Sequence, residues 1–427
     1  MVATVLSWLN YSVGLIFSLV FFYQFVYIFI AAIKKHYAYK PASCEHSYAF
    51  LICAHNEEQV IAELIASIKQ QDYPADKIKV FCVADNCSDR TALRAQAAGA
   101  EVLVREDLNT RGKSWVMRYG FQEIFKRYPG RFEGIFIFDA DNILRPDYVR
   151  RMNEVFDEGY EVITSYRNSK NFESSWISAA YALWFMREAK FLNNARMILG
   201  TSCAISGTGY LLSTKLLQEL GDWNFHLLTE DIEFSAWFAS QGRRIAYAHH
   251  AEFFDEQPIS FAASWKQRMR WTKGFYQVFW HYGKDLVKAI FRGHFAGFDL
   301  LMTIAPAMIL TISCFILNAL ALGAALIAPQ YFGHELLVQC IRSLSFTLGF
   351  TYLMFFMLGL ITTIFERKRI YACLRVQLLN LFSFPIFMLT YIPIALVALV
   401  KQVEWVPTKH TVSKSLDEIV EAKRELE

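Results

Sequence analysis

Ile135-Phe136-Ile137-Phe138-Asp139-Ala140-Asp141-Asn142 runs from bulky apolar residues straight into two carboxylates spaced i, i+2. An apolar run without polar alternation reads as a strand buried on both faces of a parallel sheet. In open α/β sheets, ligands gather beyond the carboxyl ends of such strands. Two aspartates placed there can hold a hard divalent cation against a diphosphate. A D-x-D is short, and an acidic turn closing a strand is its bland alternative. The flanking sequence has to decide between them.

Upstream, strands and helices alternate. Residues 48–53 form an apolar strand that opens onto Ala54-His55-Asn56-Glu57-Glu58. Residues 60–70 then place Ile61, Leu64, Ile65 and Ile68 on one helical face. Further strands are predicted over 78–84, 101–104 and 134–138, with helices over 91–98 and 113–127. The second strand closes on Asp85-Asn86-Cys87-Ser88-Asp89. This alternation predicts an α/β domain with a doubly wound, mostly parallel sheet, and polar clusters sit at the ends of successive strands. No G-x-G-x-x-G and no G-x-x-x-x-G-K-[ST] occurs, so neither a dinucleotide fingerprint nor a P-loop is supported.

The chain has 427 residues and is 54% hydrophobic, with the excess concentrated in charge-free runs at 1–33, 300–332, 343–365 and 376–400. Each exceeds the roughly 20 residues needed to cross a bilayer. The first lacks a basic start and a cleavage site, so it is expected to be a retained anchor rather than a signal peptide. Lys34-Lys35 and Arg367-Lys368-Arg369 mark cytoplasmic flanks, which puts Met1 outside and a short link near 329–335 on the outer face. Arg342 is the one basic residue against that arrangement. Pro385 and Pro393 interrupt the last run, and a re-entrant or interfacial helix pair is expected there. The net charge of +3 makes no global case for nucleic acid. The eight cysteines lack metal spacing and are expected to be buried thiols without a role.

Downstream come Thr229-Glu230-Asp231 and Gln267-Arg268-Met269-Arg270-Trp271. With these, residues 47–271 and the flanking spans resemble the inverting family 2 glycosyltransferases of GT-A fold. The likeness is greatest to the membrane-embedded branch of chitin-oligosaccharide, hyaluronan, cellulose and poly-N-acetylglucosamine synthases. The specific part is Q-x-x-R-W following both acidic motifs in order, just ahead of a span. The resemblance implies a UDP-sugar donor, with Asp139 helping to hold the nucleotide and Asp141 meeting Mg²⁺ or Mn²⁺. It places Ala54, Asn56, Glu57 and Asp85 around the nucleoside, with helix capping an open alternative for Glu57 and Asp85. Lys113 resembles the family's basic residue near the nucleotide, a solvated lysine being the alternative. Asp231 is expected to be the general base that takes the acceptor's hydroxyl proton, or a helix cap, or both. Glu230, Gln267, Ser206 and Gly207 are expected beside the substrate.

Further expectations follow from the likeness. Arg270 faces the diphosphate, Trp271 lies against the acceptor sugar, and Arg268 meets lipid headgroups or solvent. Trp405-Val406-Pro407-Thr408-Lys409-His410 is similar to the gating segment that caps bound UDP, with Thr408 at the nucleotide. His249 and His250 are adjacent in a strand, should face opposite ways, and are given no metal role. The implied organisation is an anchor (1–36), a GT-A catalytic domain (40–258), interfacial helices carrying Q-x-x-R-W (259–297), transmembrane or re-entrant helices (298–403) and a cytosolic gating-like tail (404–427). The implied activity moves a hexose or N-acetylhexosamine from the UDP-sugar to a growing β-linked polysaccharide at the inner face of the plasma membrane. A single transfer to a membrane lipid is the alternative. A transporter or inert scaffold is disfavoured because the apolar runs carry no charge. The partners implied are a UDP-sugar, a glycan or lipid acceptor and the bilayer, without nucleic acid. A homo-oligomer or an accessory export subunit is left open.

Overall fold

A computed structural model of the chain describes residues 2–403, 410, 412, 414 and 416–424. The chain opens with helix α1 (Val2–Lys34) and then enters the sheet. Strands β1 (Tyr48–Ala54), β2 (Ile78–Asp85), β3 (Glu101–Arg105) and β4 (Gly134–Asp139) alternate with helices α2 (Ile61–Lys69), α3 (Thr91–Ala97) and α4 (Lys113–Arg127). These are the predicted elements, each within a residue or two of its predicted limits. The short β5 (Ile143–Leu144), then β6 (Val162–Ser169), β7 (Tyr210–Ser213) and β8 (Ala246–Asp255), complete one eight-stranded sheet. Its order is β3-β2-β1-β4-β7-β6-β8-β5.

Strands β1 to β4 pair in parallel, and β6 pairs in parallel with β8. Strand β7 runs antiparallel to both β4 and β6. Being doubly reversed, β6 and β8 therefore point the same way as β4. The carboxyl ends Ala54, Asp85, Asp139, Ser169 and Asp255 consequently share one edge, and the register sets Cys53 beside Asp139 and Ser169 beside Asp255. Helices flank both faces, which is why β1 and β4 are apolar throughout. Phe50 stacks on Phe136 at 4.6 Å and on Phe138 at 5.8 Å. All three rings are fully buried, each contributing roughly 1.5–3 kcal/mol.

Helices α5 (Tyr148–Asp157), α6 (Trp176–Arg187), α7 (Asn194–Leu199), α8 (Thr214–Leu220) and α9 (Glu230–Ser240) fill the intervals between the later strands. A π-turn over Glu188–Asn193 joins α6 to α7. After β8 come α10 (Phe261–Phe291), α11 (Phe295–Ile304), α12 (Pro306–Ile327), α13 (Pro329–Glu366), α14 (Leu374–Leu389), α15 (Tyr391–Val400) and α16 (Leu416–Arg424). Among the described residues three segments are long and apolar enough to cross a membrane: Ala3–Lys34, His334–Arg369 and Leu374–Val400.

Two expectations about the apolar runs are corrected. The run 300–332 is not one helix, because Pro306 cannot donate to the preceding turn and α11 stops at Ile304. The link expected near 329–335 is helical, since Pro329 stands at the first position of α13, where its missing N–H costs nothing. The last run does form a helix pair, breaking at Thr390 between the two prolines.

One buried ion pair ties these helices to the sheet region. Arg196 of α7 donates from Nε to Asp299 Oδ2 at 2.7 Å and from Nη2 to Oδ1 at 2.8 Å. Tyr27 and Tyr23 of α1 donate to the same carboxylate at 2.7 and 3.1 Å. Both charges are almost wholly buried, so removing one strands the other. Asp299→Ala is expected to cost about 3–5 kcal/mol, seen as a lower unfolding midpoint in detergent. Replacing both members together with Arg196→Met and Asp299→Leu should recover most of that loss.

Candidate active site

Asp139 ends β4, and its backbone N–H donates to Thr208 Oγ1 at 2.9 Å. Lys113, the first residue of α4, bonds the Asp139 carboxylate and donates to the Gly207 carbonyl at 2.7 Å. The loop Ser206-Gly207-Thr208-Gly209 is thereby drawn over the strand end. Gly209 has a φ of +68°, and a Cβ there would lie 2.1 Å from the Phe253 ring, so only glycine fits. Asp139 stays partly open, its side chain 38% exposed.

Asp141 is buried. Its Oδ2 accepts from the Glu256 N–H at 2.8 Å, and its carbonyl accepts from Lys170 Nζ at 2.8 Å. Burial alone raises its pKa, but the charges of His410 and Lys170, with the Glu256 N–H and Arg167, outweigh it and hold the carboxyl below its usual range. Arg167 donates to Asp255 Oδ2 at 2.6 Å and to the Ser206 carbonyl at 2.9 Å, and it lies 3.7 Å over the Phe185 ring. Asp255 also accepts from Gln257 Nε2 at 2.5 Å.

Ala54 ends β1, and Asn56 follows in a left-handed conformation that lets its Oδ1 accept from the Ser88 N–H at 2.8 Å. Asp85 accepts from Arg105 Nη1 at 2.5 Å and from Asn86 Nδ2 at 2.9 Å. Neither Asp85 nor Glu57 caps the following helix. Asp89 receives the Thr91 N–H, and Glu57 Oε1 meets His410 Nδ1 at 2.9 Å. Burial, the largest influence on Glu57, raises its pKa against the pull of His410. Burial would lower the His410 pKa, but Asp141, Glu57 and Glu256 push it up to about 10. The position expected to cap UDP, Thr408, lies outside the described residues.

Helix α9 begins at Glu230, and α10 crosses over this turn at Gly274, where a Cβ would come within 2.5 Å of Thr229 Oγ1. Arg270 of α10 donates to the Leu228 carbonyl at 2.9 Å, at the approach to the same turn. Asp231 Oδ2 lies 4.0 Å from the position a Cβ would take at Gly207, and the Gly207 backbone hydrogen-bonds its carboxyl. Burial is the largest influence on both neighbouring carboxyls and raises both. Glu230, with Asp231 beside it, is pushed up to about 7, while Lys113 and Arg270 pull back. Lys113 thus links Asp139 to Glu230 and Asp231, and Arg167 links Asp139 to Asp141. Trp271 packs edge-to-face with Tyr181 at 5.7 Å and Phe185 at 6.2 Å, the latter being the ring beneath Arg167. Gln267 Oε1 is buried without a partner.

Arg268 corrects an expectation. It is fully buried, not at lipid headgroups or in solvent. It donates to the Phe387 carbonyl at 3.0 Å and to Thr390 Oγ1 at 2.7 Å, with its guanidinium 4.0 Å from the Phe387 ring. It serves the break between α14 and α15, where Tyr391 begins a new helix. His249 and His250 do not simply face opposite ways. They lie where β8 slips three residues against β6, and their rings approach to 5.1 Å. Arg105, Arg167, Lys170, Asp255 and Gln257 were not anticipated in the cleft, whereas His410 belongs to the segment expected to cap the nucleotide. Phe253-Phe254-Asp255-Glu256-Gln257, an apolar strand ending in polar groups like the D-x-D, was the available signal.

The profile of the glycosyltransferase-like family 2 matches residues 46–274, and the chain belongs to that family. Its sheet is GT-A-like. The β-monoglucosyldiacylglycerol synthase of Synechocystis sp. is 26% identical over 242 residues, covering 54% of this chain and 48% of that protein. The poly-β-1,6-N-acetyl-D-glucosamine synthase of Staphylococcus aureus is 25% identical over 233 residues, covering 54% of each. The chain spans about half the length of these curated relatives. A solved structure of the mannosyltransferase PcManGT from Pyrobaculum calidifontis, in complex with GDP-Man and Mn²⁺, shares the fold at a TM-score of 0.50 and 16% identity, over 79% of this chain and 99% of that one.

A raised pKa at Glu230 means that the folded chain holds a proton the unfolded chain has already released. Stability is therefore full below the unfolded value near 4.5 and is lost as pH rises through about 7. Glu230→Gln mimics the protonated form. It is expected to match the parent near pH ~4.5 and to be more stable by about 2–3 kcal/mol near pH ~8, as measured by unfolding at both values.

Proposed function

We propose that the chain is an inverting transferase that moves a hexose or N-acetylhexosamine from a UDP-sugar to a growing β-linked polysaccharide at a membrane face. The observation that carries this is that Asp139 shares Lys113 with Asp231 and Arg167 with Asp141, which draws three carboxylates from separate stretches of sequence toward one strand end. The donor diphosphate is anionic and needs cations on its oxygens as the sugar leaves. Lys113 is already aimed at this edge, and Arg270 stands across it on α10.

A divalent ion fits the donor set. Asp139 is partly open, the cleft offers carboxylate oxygens, and Glu57 Oε2 is buried without a hydrogen-bond partner. Oxygen-only ligands suit Mg²⁺ or Mn²⁺. Asp139 and Asp141 would hold the ion, which when bound supplies neutralisation of charge on the departing diphosphate. The GDP-Man and Mn²⁺ named for the mannosyltransferase of like fold agree with a nucleotide-sugar and a metal.

Asp231 acts as the base. Burial raises its pKa, which favours acceptance of a proton. Direct attack by the acceptor hydroxyl on the anomeric carbon breaks the bond to the diphosphate and inverts configuration, the hydroxyl proton passing to Asp231. Trp271, wedged by Tyr181 and Phe185, offers an aromatic surface for a pyranose ring at the entrance. The apolar segments Ala3–Lys34, His334–Arg369 and Leu374–Val400 hold the cleft at the bilayer.

A second reading, single transfer to a membrane lipid, has its own support. Among the described residues the three segments long and apolar enough to cross a membrane are few for a polymer tunnel, and one relative is named a β-monoglucosyldiacylglycerol synthase. Product length separates the two. Incubation with labelled UDP-glucose or UDP-N-acetylglucosamine should yield long glycan; a product of one sugar on a lipid would replace the polymer reading. Asp231→Asn is expected to keep UDP affinity within about twofold and to lower turnover by roughly 10²–10⁴. Normal turnover in that variant would remove Asp231 as base.

A further inference from the structure

The edge of the sheet opposite the carboxylate cleft carries a second cluster that no part of the transfer chemistry uses. Cys44 and His46 lie in the connection from α1 to β1, Asp157 is the last residue of α5, and Glu133 precedes β4. Cys44 Sγ is 3.3 Å from His46 Nε2 and 3.4 Å from Asp157 Oδ1. His46 Nε2 is 3.0 Å from the same Asp157 oxygen. A thiol, an imidazole and a carboxylate therefore present one ligand atom each to a common point.

These separations suit one metal. Zn²⁺ binds sulfur at about 2.3 Å and nitrogen or oxygen at about 2.0–2.2 Å in tetrahedral geometry, which separates neighbouring ligand atoms by about 3.3–3.6 Å. The carboxylate and imidazole atoms need to spread by only a few tenths of an ångström, whereas the thiol, which also lies 4.0 Å from His46 Nδ1 and so sits beside the ring, must swing by about an ångström to share a metal with Nε2. A cysteine in the set selects against Mg²⁺ and Ca²⁺, whose ligands are oxygens.

The surroundings hold the ligands in place. His46 presents its other nitrogen, Nδ1, to Glu133 Oε1 at 2.8 Å, the carboxylate–imidazole–metal relay that sets a ligating tautomer. Asp157 Oδ2, the oxygen turned away from the cluster, accepts from the Ser43 N–H at 2.7 Å and from Ser43 Oγ at 2.8 Å. The His46 backbone is fixed at both polar groups: its N–H donates to Asn153 Oδ1 at 3.2 Å and its carbonyl accepts from Tyr73 at 2.8 Å. The His46 ring rests edge-on against Phe156 at 5.0 Å.

We propose that Cys44, His46 and Asp157 form a Zn²⁺ site, with a fourth position open to water, that pins the connection from α1 to the start of β1. The site is separate from the Mg²⁺ or Mn²⁺ proposed at Asp139 and Asp141, and it stands whether or not that reading of the cleft holds. Zinc binding releases the thiol proton and makes Cys44 a thiolate ligand.

Cobalt reports the difference directly, because a Co²⁺–thiolate bond gives charge-transfer absorption in the near ultraviolet that an oxygen-only site cannot give. The full chain in detergent, stripped of metal, is titrated with Co²⁺ and then with Zn²⁺. The expected result is a charge-transfer band saturating at a single equivalent per chain, bleached by Zn²⁺, absent in Cys44→Ser and retained in Asp141→Ala. Cys44 is exposed, so the serine variant keeps the packing around it. Absence of the band in the parent chain, or its persistence in Cys44→Ser, would overturn the site.

Discussion

Carboxylates can crowd one buried cleft only if cations are built in among them. Asp139, Asp141, Glu230, Asp231 and Asp255 approach each other because Lys113, Arg167, Lys170, Arg270 and His410 stand between them. Unbalanced, each buried charge would cost several kcal/mol. The balance is incomplete at Glu230, whose proton is released only at about 7. A cleft of this kind is prepared for a further cation and for an anionic ligand, and that preparation is what a diphosphate donor requires.

The same economy governs how the cleft meets the apolar helices. Arg270 reaches the turn before α9 and Trp271 packs on α6, while Arg268 on the same helix turns to the break between α14 and α15 and supplies its donor to the Phe387 carbonyl. One helix thus joins the chemical edge to the helix pair. Gly274 lets α10 approach the Thr229 turn closely enough to do so. On the other side, the Arg196–Asp299 pair with Tyr23 and Tyr27 fastens α1 and α11 to α7.

Much of the parallel half of the sheet was legible because its strands are unbroken apolar runs ended by polar clusters. The helix 113–127 was legible to the residue, and α10 lies inside the interfacial span expected over 259–297. The later strands were not. Strand β6 carries Thr164, Ser165, Arg167, Asn168 and Ser169, which serve as hydrogen-bonding groups within the protein, so its pattern does not read as a strand. The reversal at β7 follows from four residues only. Arg268 was misjudged because an arginine near a bilayer ordinarily reaches water, and only packing shows a carbonyl waiting for it.

The sequence by itself determined which residues end strands, which runs are apolar enough to cross a bilayer, and which acidic and Q-x-x-R-W motifs occur in order. Those are local properties, set by side-chain chemistry and spacing. The tertiary structure alone decided which charges meet. His410 reaches Glu57 across 353 residues, and Asp157 reaches His46 across 111. Pairings over such distances depend on how the sheet is ordered and how helices pack upon it, and no periodicity along the chain encodes them.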